Sequence, residues 1–178
     1  MARLKYADLS DPQGKPLVER IVRERGSVLH LYQMLLHSPP VAEGWLTYLT
    51  AIRQKGVLSA ALRELVIMRV AIINGAPYEA LQHAPIALKE GVTQEQLDEL
   101  KVWEHSRRFT AQQRAVLELT DGMTKNVQLP KEAVAAVREF LSDREVVELV
   151  ATVGAYNMVS RFLEALDIHA DDERPSPA

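Results

Sequence analysis

Three residues in the middle of the chain, Glu64, Glu79 and His83, have the types and spacing for proton transfer. Glu79 and His83 stand four apart, so on a helix both project from one face. A carboxylate beside an imidazole favours the charged ring and selects its tautomer. Glu64 comes earlier, in a run where Ile67, Met68 and Ala71 share its helical face. A carboxyl group on such a face is partly desolvated, which suits proton exchange near neutral pH. Each residue also has a plainer reading. Glu64 can favour the positive end of its helix or pair with an arginine. Glu79 and His83 can form an ordinary helix-surface contact.

The missing chemistry narrows the choice. The chain has no cysteine, so disulfides, thiolate nucleophiles and cysteine-held zinc or iron–sulfur clusters are excluded. Glu64, Glu79 and His83 offer oxygen and nitrogen ligands suited to a hard or borderline cation. The pattern Glu-x-x-x-His is not the Glu-x-x-His of di-iron bundles, however, and no second copy occurs. The expectation is therefore a site with neither metal nor cofactor. Asn157 and Arg161 are also four apart, and Arg161 can meet a substrate carboxylate, a subunit partner or a neighbouring acid. Tyr78, Asn157 and Arg161 are the expected substrate contacts. Tyr78, Tyr156 and Trp45 also read as packing residues with polar tips. His30, His37, His105 and His169 have no comparable setting.

The elements that must hold these groups read as helices almost throughout. Apolar residues at three- and four-residue spacing predict one helix from Leu17 to about His37, stopped by Ser38-Pro39-Pro40. A second carries Trp45, Leu46, Leu49 and Ile52 and ends near Gly56. The third, about Ser59 to Asn74, is apolar around nearly its whole circumference, which marks a buried helix. Gly75 suits its C-terminal cap. A helix from about Pro77 to Glu90 follows, with Pro85 as a place where it can kink. Thr93 with Gln96, Thr110 with Gln113, and Ser142 with Glu145 have capping-box spacing. They predict helices near 94–104, 111–124 and 143–167, with another near 131–141 after Pro130. Gly154, inside the last helix, can permit close helix contact. An echo links Arg63-Glu64-Leu65-Val66 with Arg144-Glu145-Val146-Val147, a likeness that two apolar helices can also produce by chance. No hairpin signal or long alternating run appears, so the fold class is all-α.

The length of 178 residues suits one domain, read as 17–169, with an N-terminal extension over 1–16 and a loose polar tail over 170–178. A net charge of −3 without a basic stripe argues against nucleic acid as the main partner. No apolar run of membrane-spanning length stands out, and the first residues lack a secretory pattern, so a cytoplasmic protein without membrane contact is expected.

Taken together, several of these segments resemble the carboxymuconolactone decarboxylase superfamily, which includes the alkylhydroperoxidase D-like proteins. The resemblance is carried by Arg63-Glu64-Leu65-Val66, Asn74-Gly75-Ala76-Pro77-Tyr78-Glu79 and His83-Ala84-Pro85 leading to Gly91. Glu148-Leu149-Val150 and the block Tyr156 to Phe162 add to it. It covers roughly Leu17 to Ile168 and implies an all-helical bundle assembled as a homotrimer or a dimer of trimers. In the peroxidase branch two cysteines act while a glutamate and a histidine relay protons. Glu64 and His83 match that relay, whereas Ala76 and Glu79 stand where the cysteines would be. The decarboxylase branch needs no thiol and keeps a glutamate four residues before the histidine. The resemblance thus implies His83, Glu64 and Glu79 as an acid–base set in a cofactor-free decarboxylase, or a related lyase or isomerase. Its substrate would be small and carboxylated or carbonyl-bearing. A scaffold or ligand-binding oligomer that lost the cysteines, and a metal-assisted hydratase or hydrolase, are the alternatives.

Overall fold

The computed structural model describes residues 1–174, so the expected tail is covered only as far as residue 174. Among the described residues the chain is helical, without a strand. Its described residues pack as two compact units. One unit holds Met1–Gln54 and residues 163–174; the other is Lys55–Phe162.

The first unit contains α1 (Lys15–Arg25), α2 (His30–Leu35) and α3 (Pro39–Thr50), with α1 and α2 both packed on α3. The single helix expected over Leu17 to His37 is broken. Gly26 adopts φ 82°, which a side chain would resist, and Leu29 is extended, so α1 ends and α2 starts afresh. Pro39 and Pro40 open α3, where a missing N–H costs no helical bond. A five-residue π turn, Ala51–Lys55, extends α3 toward the expected end. Described residues near both termini make hydrogen bonds to the rest of this unit. Arg3 N–H donates to Leu166 C=O at 2.9 Å, and Tyr6 Oη–H to Asp172 Oδ2 at 2.7 Å. Arg174 reaches Gln33 Oε1 at 3.0 Å. Residues 170–174 therefore depart from the expected loose arm, because Asp172 and Arg174 find fixed partners.

The second unit is built on α4 (Ala60–Asn74), which packs against α5 (Pro77–Lys89) and α7 (Ala111–Lys125). Between them lie α6 (Gln94–Glu99) and a 3₁₀ turn, Leu100–His105; α8 (Lys131–Arg138) lies on α7, and α9 is Asp143–Leu166. All three capping boxes form, at Thr93–Gln96, Thr110–Gln113 and Ser142–Glu145. Leu65, Met68, Ala87, Val92, Leu100, Trp103, Phe109 and Leu117 make one continuous core. Burial of such side chains contributes about 1.5–3 kcal/mol each relative to leaving them exposed.

α4 is buried nearly all round, as its composition requires. Its one buried cation, Arg69, donates from Nε and Nη2 to Asp121 Oδ1 and Oδ2 at 2.6 and 2.5 Å, and from Nη1 to the carbonyls of Leu100 and Lys101. This fork ties α4 to α7 and the 3₁₀ turn. Gly154 differs from expectation: a Cβ there would meet nothing within 4 Å, so it mediates no close contact within the chain. α9 is the longest helix among the described residues. Its 24 residues include a window of mean hydropathy 1.2, long and apolar enough to cross a membrane, although 56% of that window is buried inside the protein.

Candidate functional site

The reversal between α4 and α5 brings Glu64 and His83 together. Ser59 caps the start of α4, its side chain accepting from Leu62 N–H at 3.2 Å. At the other end Gly75 turns left-handed at φ 63°, and Ala76 N–H reaches back to Ala71 C=O at 2.9 Å. Pro77 then starts α5 at once, with its fixed φ already helical. Two residues thus separate the helices, which lie side by side. Continuation of α5 through Pro85 carries His83 back alongside Glu64.

Glu64 is fully buried, and its Oε2 lies 2.7 Å from His83 Nδ1. Arg63 Nε donates to its other oxygen, Oε1, at 3.3 Å. Arg63 thus supplies a donor to Oε1, while the tautomer of the ring sets whether Nδ1 donates to Oε2 or accepts from it. The His83 ring retains little exposure, at 7% for the residue, and stands edge-on to the Tyr156 ring with centroids 5.1 Å apart. With Nδ1 held by Glu64, exchange of a proton with a substrate falls to Nε2.

Glu79, in the first turn of α5, is also buried. Its Oε2 accepts from Ser160 Oγ, on α9, at 2.9 Å. Tyr78 is buried beside it in sequence. Asn157 sits in a structural knot. Its Oδ1 accepts from Asn74 Nδ2 at 3.1 Å and Arg161 Nη1 at 2.7 Å, while its Nδ2 serves Thr124 Oγ1 and Val153 C=O. Those four bonds use the full capacity of an amide. Arg161 is exposed, with Nη1 anchored on Asn157.

Arg63, Tyr156 and Ser160 were not singled out as site residues in the sequence. Tyr156 and Ser160 are four apart on α9, the same helical signal that marked Glu79 and His83. Small hydroxyl and aromatic residues on an apolar helix resemble packing residues, so that spacing alone carried no weight. Among the described residues, no three His, Asp or Glu side chains form a metal-binding group.

The sequence and the fold have known counterparts. Residues 39–122, which include Glu64, Glu79 and His83, match the carboxymuconolactone decarboxylase family model. Just under half of this chain therefore carries that family's pattern, and it does so without a cysteine. A Bacillus subtilis (strain 168) relative, the uncharacterized protein YdfG, is 27% identical over 111 residues, 61% of this chain and 76% of that one. Among solved structures, a peroxidase-related protein with an alkylhydroperoxidase AhpD core from Ralstonia eutropha JMP134 superposes with a TM-score of 0.82 at 18% identity. That match covers 96% of this chain and 93% of the other. A cysteine-to-alanine variant of the debrominase Bmp8, in complex with 2,3,4-tribromopyrrole, gives a TM-score of 0.80 at 18% identity, covering 95% and 91%. These structures establish an alkylhydroperoxidase D-like fold for the chain.

Proposed function

We propose that this protein is a cofactor-free acid–base enzyme of the carboxymuconolactone decarboxylase superfamily, a decarboxylase or related lyase or isomerase, acting on a small carboxylated or carbonyl substrate. The observation that carries this reading is the buried His83–Glu64 pair at 2.7 Å. Glu64 fixes the ring and stabilises its charged form, while Nε2 faces the proton exchange with substrate. In a decarboxylation the bond to the leaving carboxylate breaks and its electron pair moves onto the adjacent carbonyl as an enolate. Carbon dioxide departs, and the proton on His83 Nε2 passes to carbon. Glu79 restores the proton balance, and Arg161 offers a guanidinium to a substrate carboxylate. Tyr78 lines the approach, and Asn157 orients Arg161 through the 2.7 Å contact. The bound tribromopyrrole of the debrominase supports a small planar ligand as a class for this fold. Thiol chemistry does not transfer, since this chain has no cysteine with which to reduce a hydroperoxide.

The test is carbon dioxide release from a panel of lactone acids and β-keto acids. With a turned-over substrate in hand, His83→Ala and Glu64→Gln each lower turnover by about a hundredfold or more while helicity is retained. Near wild-type turnover in both variants refutes the mechanism. Failure of the whole panel, together with binding of the same acids, favours a ligand-binding protein instead.

A further inference from the structure

Ser160 holds an ambiguity that only a proton can resolve. Its Oγ is almost fully buried and lies 2.9 Å from Glu79 Oε2 and 2.9 Å from the carbonyl of Tyr156, one turn earlier on α9. A serine hydroxyl carries one hydrogen and two lone pairs, so it can donate to one of these oxygens at a time. If it donates to Glu79, the carboxyl oxygen accepts, and the ionised group does so most strongly. If it turns to the Tyr156 carbonyl, the bond with Glu79 persists only when Glu79 carries a proton and donates to Ser160. The second state uses the back-bond to the carbonyl four residues earlier that serines on helices commonly make. Both states satisfy the pair without movement of a heavy atom; only the hydroxyl rotates.

Glu64 is built differently. Arg63 Nε donates to one of its oxygens and His83 Nδ1 lies at the other, so its neighbours are charged or titratable groups where Glu79 has a serine hydroxyl. The titratable and charged groups around this cluster are Arg63 and Glu64 on α4, Tyr78 and His83 on α5, and Tyr156 on α9.

We propose that Ser160 is a positioning residue whose hydroxyl, shared between Glu79 and the Tyr156 carbonyl, lets Glu79 take up and release a proton. Glu79 is then the group that reloads the site, while Glu64 orients His83. This rests on the reading of Glu64, Glu79 and His83 as an acid–base set. The proton that leaves His83 for substrate is replaced from Glu79, which regains one from solvent as the Ser160 hydroxyl turns from carboxylate to carbonyl.

The experiment is a pH titration of the Glu79 carboxyl group in the resting protein, by carbon-13 NMR of labelled glutamate, with the signal assigned by its loss in Glu79→Gln. Ser160→Ala removes the donor to the ionised form, so the midpoint rises by about one pH unit or more, a tenfold gain in proton affinity. Ser160→Thr restores a hydroxyl and returns the midpoint to within about a third of a unit of wild type. Should Ser160→Ala fail to fold, Ser160→Cys, a weak donor, is titrated in its place with the same upward shift expected. An unchanged midpoint in the donor-deleted variant, or an equal shift in Ser160→Thr, overturns the proposal. The titration needs no substrate, so absence of turnover on every acid would reject the enzymatic reading and leave this result to stand or fall separately.

Discussion

Replacing Arg69 with methionine isolates the joint that holds the site-bearing helix in place. Methionine keeps much of the apolar stem and removes the guanidinium. Four hydrogen bonds go with it: two to Asp121 at 2.6 and 2.5 Å, and two to the carbonyls of Leu100 and Lys101 at 3.0 and 3.1 Å. Charged hydrogen bonds contribute about 1.5–3 kcal/mol each, but the four do not sum, because the unfolded chain solvates the same groups. The larger effect is the buried carboxylate left behind. Breaking a buried pair by removing one partner costs about 3–5 kcal/mol. Lys125 remains 2.9 Å from Asp121 and compensates in part, which places the loss near the lower end, about 3 kcal/mol. For a chain of this length that is a fall in Tm of roughly 6–12 °C. The assay is thermal and urea unfolding followed by helicity, in a cycle with Asp121→Leu. The double variant, which leaves no unpaired charge, recovers at least half of the loss. Acid adds a second signature. Burial raises the Asp121 pKa, but the hydrogen bonds and charges of Arg69 and Lys125 more than offset it and hold it below the ordinary 3.8. The stabilisation is thus present above 3.8 and lost as pH falls through the folded value. Arg69→Met flattens that acid limb. A loss under about 1 kcal/mol, or fully additive single variants, refutes the reasoning.

Glu148 gives a second pH test. Its Oε2 accepts the N–H groups of Val57 and Leu58 at 2.6 and 2.7 Å, and Arg144 bonds its Oε1 at 3.0 Å. Burial works against the anion, yet these partners lower its pKa below the ordinary 4.5. Glu148→Gln therefore costs about 1–2 kcal/mol at neutral pH, and the gap to wild type closes as pH falls below 4.5, read by urea melts across that range. Self-association is expected from α9, where Val147, Val150 and Met158 remain exposed, at 68%, 37% and 36%. Light scattering at micromolar concentration should find an oligomer; a monodisperse monomer counts against it.

The most legible parts of the fold were those governed by local chemistry. Capping pairs such as Thr93–Gln96 satisfy orphan N–H groups within one turn, so residue types alone placed those helix starts. Gly75 followed by Pro77 likewise marked the reversal between α4 and α5. The break at Gly26 was less legible, because apolar spacing continues on both sides and glycine is also tolerated within helices. The echo between Glu64 and Glu145 shows how little local likeness decides. One carboxylate is fully buried against His83; the other is half-buried and caps the start of α9 at Ser142.

By itself the sequence determined that the chain is helical, that thiol chemistry is impossible, and that Glu79 and His83 share a helical face. These follow from periodicity, composition and spacing, which act within a few residues. Only the tertiary structure decided which carboxylate holds the imidazole, and it is Glu64, 19 positions away. It also decided that Glu79 faces Ser160, 81 positions away, and that Asp121 answers the buried charge of Arg69. Such pairings depend on the direction in which one helix lies on another. That direction is set by the packing of whole apolar faces, which no short stretch of residues contains.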